Sequence, residues 1–386
     1  MKCPICQSSK TSLFLERFQV PVHQNLLCPF EESARNVKRG KLSLIICEEC
    51  GFAFNQAFDA NLLSYGKDYD NTQACSPMFR DYIDNLIYHL INERGVVNKT
   101  IVEVGCGKGS FLKSLCAAGG NSGIGFDPSY LGPSILHGGK LRFERSFYDP
   151  RCESIPTDVV ICRHVIEHTS GPLRLLKSIR QTLAKSPHAQ VFFETPCLEW
   201  ILENQVFWDF FYEHCSYFTE QSLSVAFEVA GFQAKSIHKA FHGQYLWLEA
   251  ELSNRQSRNI RTVSRQISIL AKQFAEKERL LIQYWQERLK ELQSSGGLAI
   301  WGAGAKGVTF ANMLDPHCEW IDCVVDLNPN KQGRFVPGTG HPIVSYYDLP
   351  KRNVTTAILM NPNYCEENQL LLKKAGVELN LIEQGK

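Results

Sequence analysis

The sequence predicts an α/β protein in three parts: a small cysteine-clamped lobe, a central domain on a mostly parallel sheet, and a second, smaller α/β unit. Three observations predict it. Between Thr100 and Asp127 the chain reads strand, glycine-rich loop, amphipathic helix, second strand and acid. Such a run opens a doubly wound sheet, with ligands outside the carboxyl ends of the strands. A second run of this kind starts at Leu298 and reaches an acid at Asp326. Cys3-x-x-Cys6 and Cys47-x-x-Cys50 bracket the N-terminal lobe. The resulting boundaries are 1–75 for the lobe, 76–252 for the central domain, 253–296 for a helical connector and 297–386 for the last domain.

Composition allows such cores and narrows the partners. Of 386 residues, 44% are hydrophobic and 21% charged, and the formal net charge is +1. A chain of this length holds two or three domains. With no basic tract, nucleic acid is not the expected partner. No run has the length of a membrane span, and Met-Lys-Cys-Pro-Ile-Cys lacks an apolar signal region. Fifteen cysteines scattered through apparent strands and helices do not form a disulfide framework, so the reducing cytoplasm is the expected location. Monomer and homodimer both remain open.

In the lobe, each Cys-x-x-Cys pair clamps one edge of a metal from a tight turn. Two pairs complete a closed tetrahedral thiolate set, which suits structural zinc on Cys3, Cys6, Cys47 and Cys50. The competing reading is four free cysteines or one redox pair. No histidine or carboxylate marks an open coordination position, so no metal catalysis is expected. Residues 52–75 are rich in aromatics, including Tyr65 and Tyr69. Phe79–Ile91 then has the spacing of an amphipathic helix.

Ile101, Val102 and Val104 read as a buried parallel strand. Gly105, Gly107 and Gly109 follow at alternate positions and allow positive φ and close approach to a ligand. A helix runs from Ser110 to the Gly119-Gly120 stop, and the next strand, Gly123–Phe126, ends in Asp127. An acid there accepts hydrogen bonds from ribose hydroxyls. Dinucleotide folds use G-x-G-x-x-G; here the order is Glu103-Val-Gly105-Cys106-Gly107-Lys-Gly109. This variant resembles the S-adenosylmethionine (AdoMet) site of class I methyltransferases, where the loop wraps a methionine tail. The resemblance implies a seven-stranded Rossmann-like domain. It implies cofactor contacts from Glu103, Gly105, Cys106, Gly107, Gly109, Asp127 and Pro128. Ser146 and Phe147 would add to these after a third strand, Leu141–Phe147. Arg163, His164 and Val165 would follow a fourth strand, Asp158–Cys162. Tyr69 either faces AdoMet as part of a lid or packs between lobe and domain. Glu167-His168 resembles a pair found after the fourth strand in many methyltransferases. Further strands are expected at Gln190–Glu194, Phe232–Ile237 and, reversed, Tyr245–Ala250.

Trp208 to Phe218, between the fifth and sixth strands, is the most chemically loaded insertion. Glu213 directly before His214, with tyrosines on both sides, can supply a general base and groups that polarise a carbonyl. The bland alternative is aromatic packing around a satisfied histidine. Residues 253–294 read as a long helix, a connector or a dimer-forming arm, ended by Ser294-Ser295-Gly296-Gly297. The C-terminal unit follows: strand Leu298–Trp301, the loop Gly302-Ala-Gly304-Ala-Lys306-Gly307, a helix to Leu314, and strands Ile321–Asp326 and Thr356–Met360. Alone it is a nucleotide-binding half-fold, too short for a full dinucleotide domain.

The whole layout resembles a methyltransferase family with a zinc lobe, an AdoMet domain and a C-terminal Rossmann-like domain, best known as C-methyltransferases of nucleotide-linked 3-keto-deoxysugars. The four cysteines, the Glu103 loop, Glu213-His214-x-Ser-Tyr-Phe, Gly302-Ala-Gly-Ala-Lys-Gly and Val325-Asp326-x-Asn-Pro-x-Lys-Gln-Gly with Pro337-Gly338-Thr339 carry the resemblance. It implies that His214 is the base that ionises the carbon beside a ketone. Glu213 and Tyr212 would orient it or polarise the ketone. The C-terminal domain would help hold the nucleotide of a small-molecule substrate, a nucleotide-linked sugar. Two features depart from the family pattern. Phe211-Tyr212-Glu213-His214 stands where Tyr-His-Glu-His is usual, and the cofactor loop is Gly-x-Gly-x-Gly. Val20-Pro-Val-His-Gln-Asn25 suggests a distinct branch. O- or N-methylation of a sugar or other natural-product intermediate is the alternative enzyme reading. An AdoMet-retaining binding protein is the non-enzyme one.

Overall fold

The computed structural model describes residues 1–64, 66, 68–72, 75–152, 155–253 and 266–383. Tyr65 and the first part of the expected connector helix, 254–265, lie outside the described residues. The lobe contains β1 (Thr11–Pro21), α1 (Glu31–Arg35), β2 (Arg39–Cys47) and β3 (Ala53–Asn55). The central domain contains α2 (Pro77–Tyr88), β4 (Thr100–Val104), α3 (Ser110–Gly119), β5 (Ser122–Phe126), β6 (Ile135–Leu136), β7 (Leu141–Glu144), β8 (Val159–Arg163), α4 (Pro172–Thr182), β9 (Gln190–Pro196), α5 (Leu198–Glu203), β10 (Ser216–Tyr217), α6 (Glu220–Val229), β11 (Phe232–Ala240) and β12 (Tyr245–Leu252). After α7 (Gln266–Ser294) come β13 (Gly297–Trp301), α8 (Ala305–Leu314), β14 (Cys323–Val325), β15 (Ile343–Val344), β16 (Val354–Leu359), α9 (Cys365–Ala375) and β17 (Asn380–Glu383).

The central sheet has the order β11-β12-β9-β8-β4-β5-β7-β6. β4, β5, β7, β8 and β9 are parallel, and β12 runs antiparallel between β9 and β11. This is the expected seven-stranded plan with one correction: an eighth strand, β6, pairs antiparallel with β7 at the edge. The expected third strand also ends at Glu144, so Ser146 and Phe147 lie beyond it. Strand residues alternate between two cores. Val102, Val104, Val160, Cys162 and Phe193 face one layer, and Ile101, Val159, Ile161 and Phe192 the other. A sheet covered on both faces explains why these strands read as unbroken apolar runs.

The lobe sheet, β1-β2-β3-β10, takes its last strand from the insertion of the central domain: Ser216 pairs with Phe54 and Tyr217 with Ala53. The C-terminal sheet, β15-β14-β13-β16-β17, is wholly parallel. A third core joins lobe, connector and C-terminal domain through Leu42, Leu44, Phe210, Phe274, Trp285 and Phe310. In α7, Ile267, Ala271 and Phe274 near its start and Trp285 and Leu289 near its end are buried within the chain.

Candidate active site

The cofactor loop is shaped by steric need. Gly105, Gly107 and Gly109 all have positive φ, from +53° to +75°. A Cβ on Gly105 would lie 2.1 Å from Val165 Cγ2, whereas one on Gly107 would meet nothing within 4 Å, so the backbone there is open to a ligand. Gly105 N–H donates to Phe126 O at 2.8 Å, tying the loop to β5. Asp127 finishes the tie: Oδ2 accepts from Gly107 N–H at 2.9 Å, and Oδ1 from Ser129 N–H at 2.8 Å. Oδ1 also accepts from Ser129 Oγ–H at 2.6 Å, so the lone pair left for a further hydroxyl is on Oδ2.

Glu103 is 3% exposed, and its Oε2 has no hydrogen-bond partner among the described residues. Burial pushes its carboxyl up to about 8, against the pull of the Arg163 charge. An orphaned acid beside an open glycine loop fits a ligand carrying a cation, as the methionine end of AdoMet does. The Arg163 guanidinium pairs with the buried Glu194 and covers the Phe111 ring at 4.5 Å. Tyr82 also bonds Glu194. Val165 closes on Gly105, and His164 sits at φ +53° with its ring 4.6 Å from that of Tyr245. Cys106 is buried, Pro128 is exposed, Ser146 is half-buried, and Phe147 is 74% exposed.

In the lobe, Cys3, Cys6, Cys47 and Cys50 bring their sulfurs within 4.8 Å of one another. Cys3 and Cys50 are 3.6 Å apart, and Cys6 and Cys47 3.5 Å. A tetrahedron of thiolates at zinc bond lengths has edges of about 3.8 Å, so the set fits that metal without rearrangement.

A cavity of about 300 Å³ lies between the central and C-terminal domains. His164, Glu167, His168, Glu213, His214 and Tyr245 line one side, Gly302, Gly304, Lys306, Asp326 and Lys331 the other, and Asn25 and Tyr69 come from the lobe. Glu167, His168 and His214 each place one donor atom within 4.8 Å of the others. Glu167 is 1% exposed, and Oε2 accepts from Thr195 Oγ1 at 3.1 Å. Its Oε1 lies 3.3 Å from His164 Nδ1 without hydrogen-bond alignment. His168 Nδ1–H donates to Glu213 O at 3.0 Å, which makes Nε2 the acceptor in the neutral ring. His214 packs against Phe211 and His168, with ring centroids 4.2 and 4.7 Å away. Burial, together with the charges of His168 and His164, holds it well below its ordinary value of 6.5. Near neutral pH it is therefore an unprotonated base on the cavity wall.

The other two residues of the expected catalytic trio are placed differently. Tyr212 is 1% exposed and absent from the cavity wall. Its hydroxyl accepts from Asp59 N–H at 2.8 Å, and its ring lies so close to Gly40 that a Cβ there would be 2.3 Å away. It fastens the insertion to the lobe. The Glu213 carboxylate is likewise committed to the lobe. It accepts from Gln24 N–H at 2.9 Å and from His23 Nδ1–H at 3.1 Å, His23 Nε2 being the acceptor for Ser64 N–H at 2.9 Å.

Residues 77–237 match a family model described as a methyltransferase domain, and residues 257–375 match one described as a C-methyltransferase C-terminal domain. The central domain is thus similar to methyltransferase domains. Ubiquinone biosynthesis O-methyltransferase of Aliivibrio fischeri (strain MJ11) is 32% identical over 117 residues, 28% of this chain and 49% of the relative. Its counterpart from Vibrio cholerae serotype O1 (strain M66-2) is 31% identical over 117 residues, 28% of this chain and 47% of that one. The chain thus spans about half the length of the curated relatives it matches. Among solved structures, magnesium protoporphyrin IX methyltransferase from Synechocystis PCC 6803 with bound SAH shares 16% identity, with 46% of this chain and 84% of that one covered and a TM-score of 0.36.

Around the methyltransferase domain, the cavity recruits residues that sequence reasoning did not assign to the site: Asn25, His168, Tyr245 and Lys331. His168 carried a signal in its Glu-His pair. Asn25 and Lys331 carried none beyond their motifs, because they reach the cavity only when three domains close on it.

Proposed function

We propose that the chain is an AdoMet-dependent C-methyltransferase acting on a nucleotide-linked keto-sugar, with His214 as the base. The observation that carries this reading is the placement of a neutral, half-buried imidazole on the wall of a cavity shared by the methyltransferase domain and the second glycine loop. The match of residues 257–375 to a C-methyltransferase C-terminal domain supports it. A C–H bond is not nucleophilic until it is ionised. His214 takes that proton, and the electron pair left on carbon accepts the methyl group. AdoMet, when bound, supplies an electrophilic methyl. Glu103 and Asp127 would hold it, and Cys3, Cys6, Cys47 and Cys50 would hold one structural zinc.

The test supplies AdoMet and a panel of nucleotide-linked sugars and locates the new methyl by NMR. The reading expects it on carbon. With S-adenosylhomocysteine in place of AdoMet, the wild type should exchange the proton beside the ketone with deuterated solvent. His214→Ala should lose exchange and about 10²–10⁴ in kcat while AdoMet affinity holds. Because burial lowers the His214 pKa, the acid limb of kcat should fall well below pH 6.5. Full turnover in His214→Ala would make it a packing residue. Turnover lost to EDTA and restored by Mg²⁺ would reassign Glu167, His168 and His214 to a cation and overturn the base role. A second reading, O-methylation, is favoured by the relatives that share the central domain. It would be seen as a methyl on oxygen with no carbon exchange.

A further inference from the structure

One buried carboxylate joins the two glycine loops. Asp70, at the end of the lobe, is 4% exposed, and its backbone N–H donates to Asn25 O at 3.0 Å. Its Oδ1 accepts from Thr72 N–H at 2.9 Å. Its Oδ2 accepts from both other domains, from Lys108 Nζ and from Asn330 Nδ2, each at 3.1 Å. Lys108 stands between Gly107 and Gly109 of the cofactor loop, and its ammonium also donates to Thr72 Oγ1 at 2.7 Å.

From Asn330 the bonds continue into the C-terminal domain. Asn330 N–H donates to Asn328 Oδ1 at 3.0 Å, and Asn328 N–H to Asp326 Oδ1 at 2.8 Å. Asp326 Oδ2 accepts from Ala303 N–H, in the second glycine loop, at 2.8 Å. On the other side, Asp127 holds Gly107, the residue before Lys108. Hydrogen bonds and single backbone steps thus link Asp127 to Asp326, with Asp70 at the centre. The C-terminal domain grips the same segment a second time. Glu367 of α9 accepts from Ser76 Oγ at 2.8 Å and from Met78 N–H at 2.9 Å, where α2 begins.

An exposed ammonium pairing with a carboxylate in water contributes little. Here the carboxylate is buried, and the same oxygen serves a second donor from another domain. Both bonds form only when both loops sit in place, so order in one favours order in the other.

We propose that Asp70 is a positioning residue that couples the two sides of the cavity. A cofactor bound at Gly105–Gly109 orders the 326–333 loop through Lys108, Asp70 and Asn330, so the substrate wall is set when the cofactor is in place. This rests on reading the Glu103 loop as the AdoMet site.

Hydrogen exchange on the full chain, with and without saturating S-adenosylhomocysteine, tests this. In the wild type the amides between Asp326 and Gly333 should exchange at least about 5-fold more slowly with the ligand bound, alongside protection at 105–109. Lys108→Met alters a side chain that is 62% exposed, so the fold should persist. It should keep the protection at 105–109 and lose that at 326–333. Asn330→Ala should do the same from the other end. A purely structural role would change exchange equally with and without ligand and leave the ligand-dependent protection in place. Wild-type protection confined to the central domain, or protection at 326–333 that survives in either variant, overturns the coupling. Calorimetry on the same samples separates this from the AdoMet reading. A ligand that does not bind removes both, whereas one that binds without protecting 326–333 removes only the coupling.

Discussion

Glu103 couples the cofactor site to protons. With its carboxyl near 8 it is mostly protonated in the ligand-free fold at pH 7. A folded pKa raised above the unfolded one favours the fold at low pH. That contribution is complete below the ordinary carboxyl range and is lost as pH rises towards about 8. The ligand-free protein should therefore lose stability by up to about 1.4 kcal/mol per pH unit across that window, and Glu103→Gln should flatten the slope. A cation bound beside Glu103 favours its charged form, so AdoMet binding at pH 7 should release a proton. Calorimetry in buffers of different ionisation enthalpy reads that release, and Glu103→Gln should abolish it. Tyr212 gives the opposite kind of prediction. Tyr212→Phe removes the acceptor of Asp59 N–H, so stability should drop by about 1 kcal/mol while kcat stays within about twofold of wild type. A kcat collapse at unchanged stability would return Tyr212 to the chemistry.

At the scale of elements, the two glycine loops are the informative pair. Each ends its strand with a glycine that donates to the neighbouring strand, and each is braced by an acid from that strand. Asp127→Ala should cost AdoMet affinity twice over, through the lost ribose acceptor and through the loosened Gly107. A loss of about tenfold or more is expected by calorimetry. Asp326→Ala should cost far less AdoMet affinity, because its loop faces the cavity from the other domain. Gly105→Ala meets both a positive φ and Val165 Cγ2, so it should weaken AdoMet binding even more than it lowers the melting temperature. These loops were legible in the sequence because glycine spacing and β-branched runs are local signals. β6, β15 and β17 were not, since edge strands of two to four residues leave too little pattern to read.

Across the whole molecule, the lobe and the active-site insertion are one body. β10 completes the lobe sheet, Glu213 bonds His23 and Gln24, and Tyr212 bonds Asp59. One zinc per chain is expected by elemental analysis, and a structural site of this kind contributes about 10–16 kcal/mol to a small fold at neutral pH. Cys47→Ser should thus lower the melting temperature. It should also reduce turnover through a displaced His214. Loss of zinc with full kcat would show that lobe and insertion are independent.

Local pattern was enough to read the α/β class, the glycine loop with Asp127 closing on it, the cysteine quartet and the candidacy of His214. Each depends on residues close in the chain or on spacing that a strand, a helix or a metal imposes. Only the tertiary structure decided what the neighbours of His214 do. Glu213 and Tyr212 directly precede it in sequence yet bond to the lobe, because the chain turns at these two residues and their side chains leave in different directions. Asn25 and Lys331, 306 residues apart, meet across the cavity. Such a contact depends on how three domains pack, and no local periodicity carries that information.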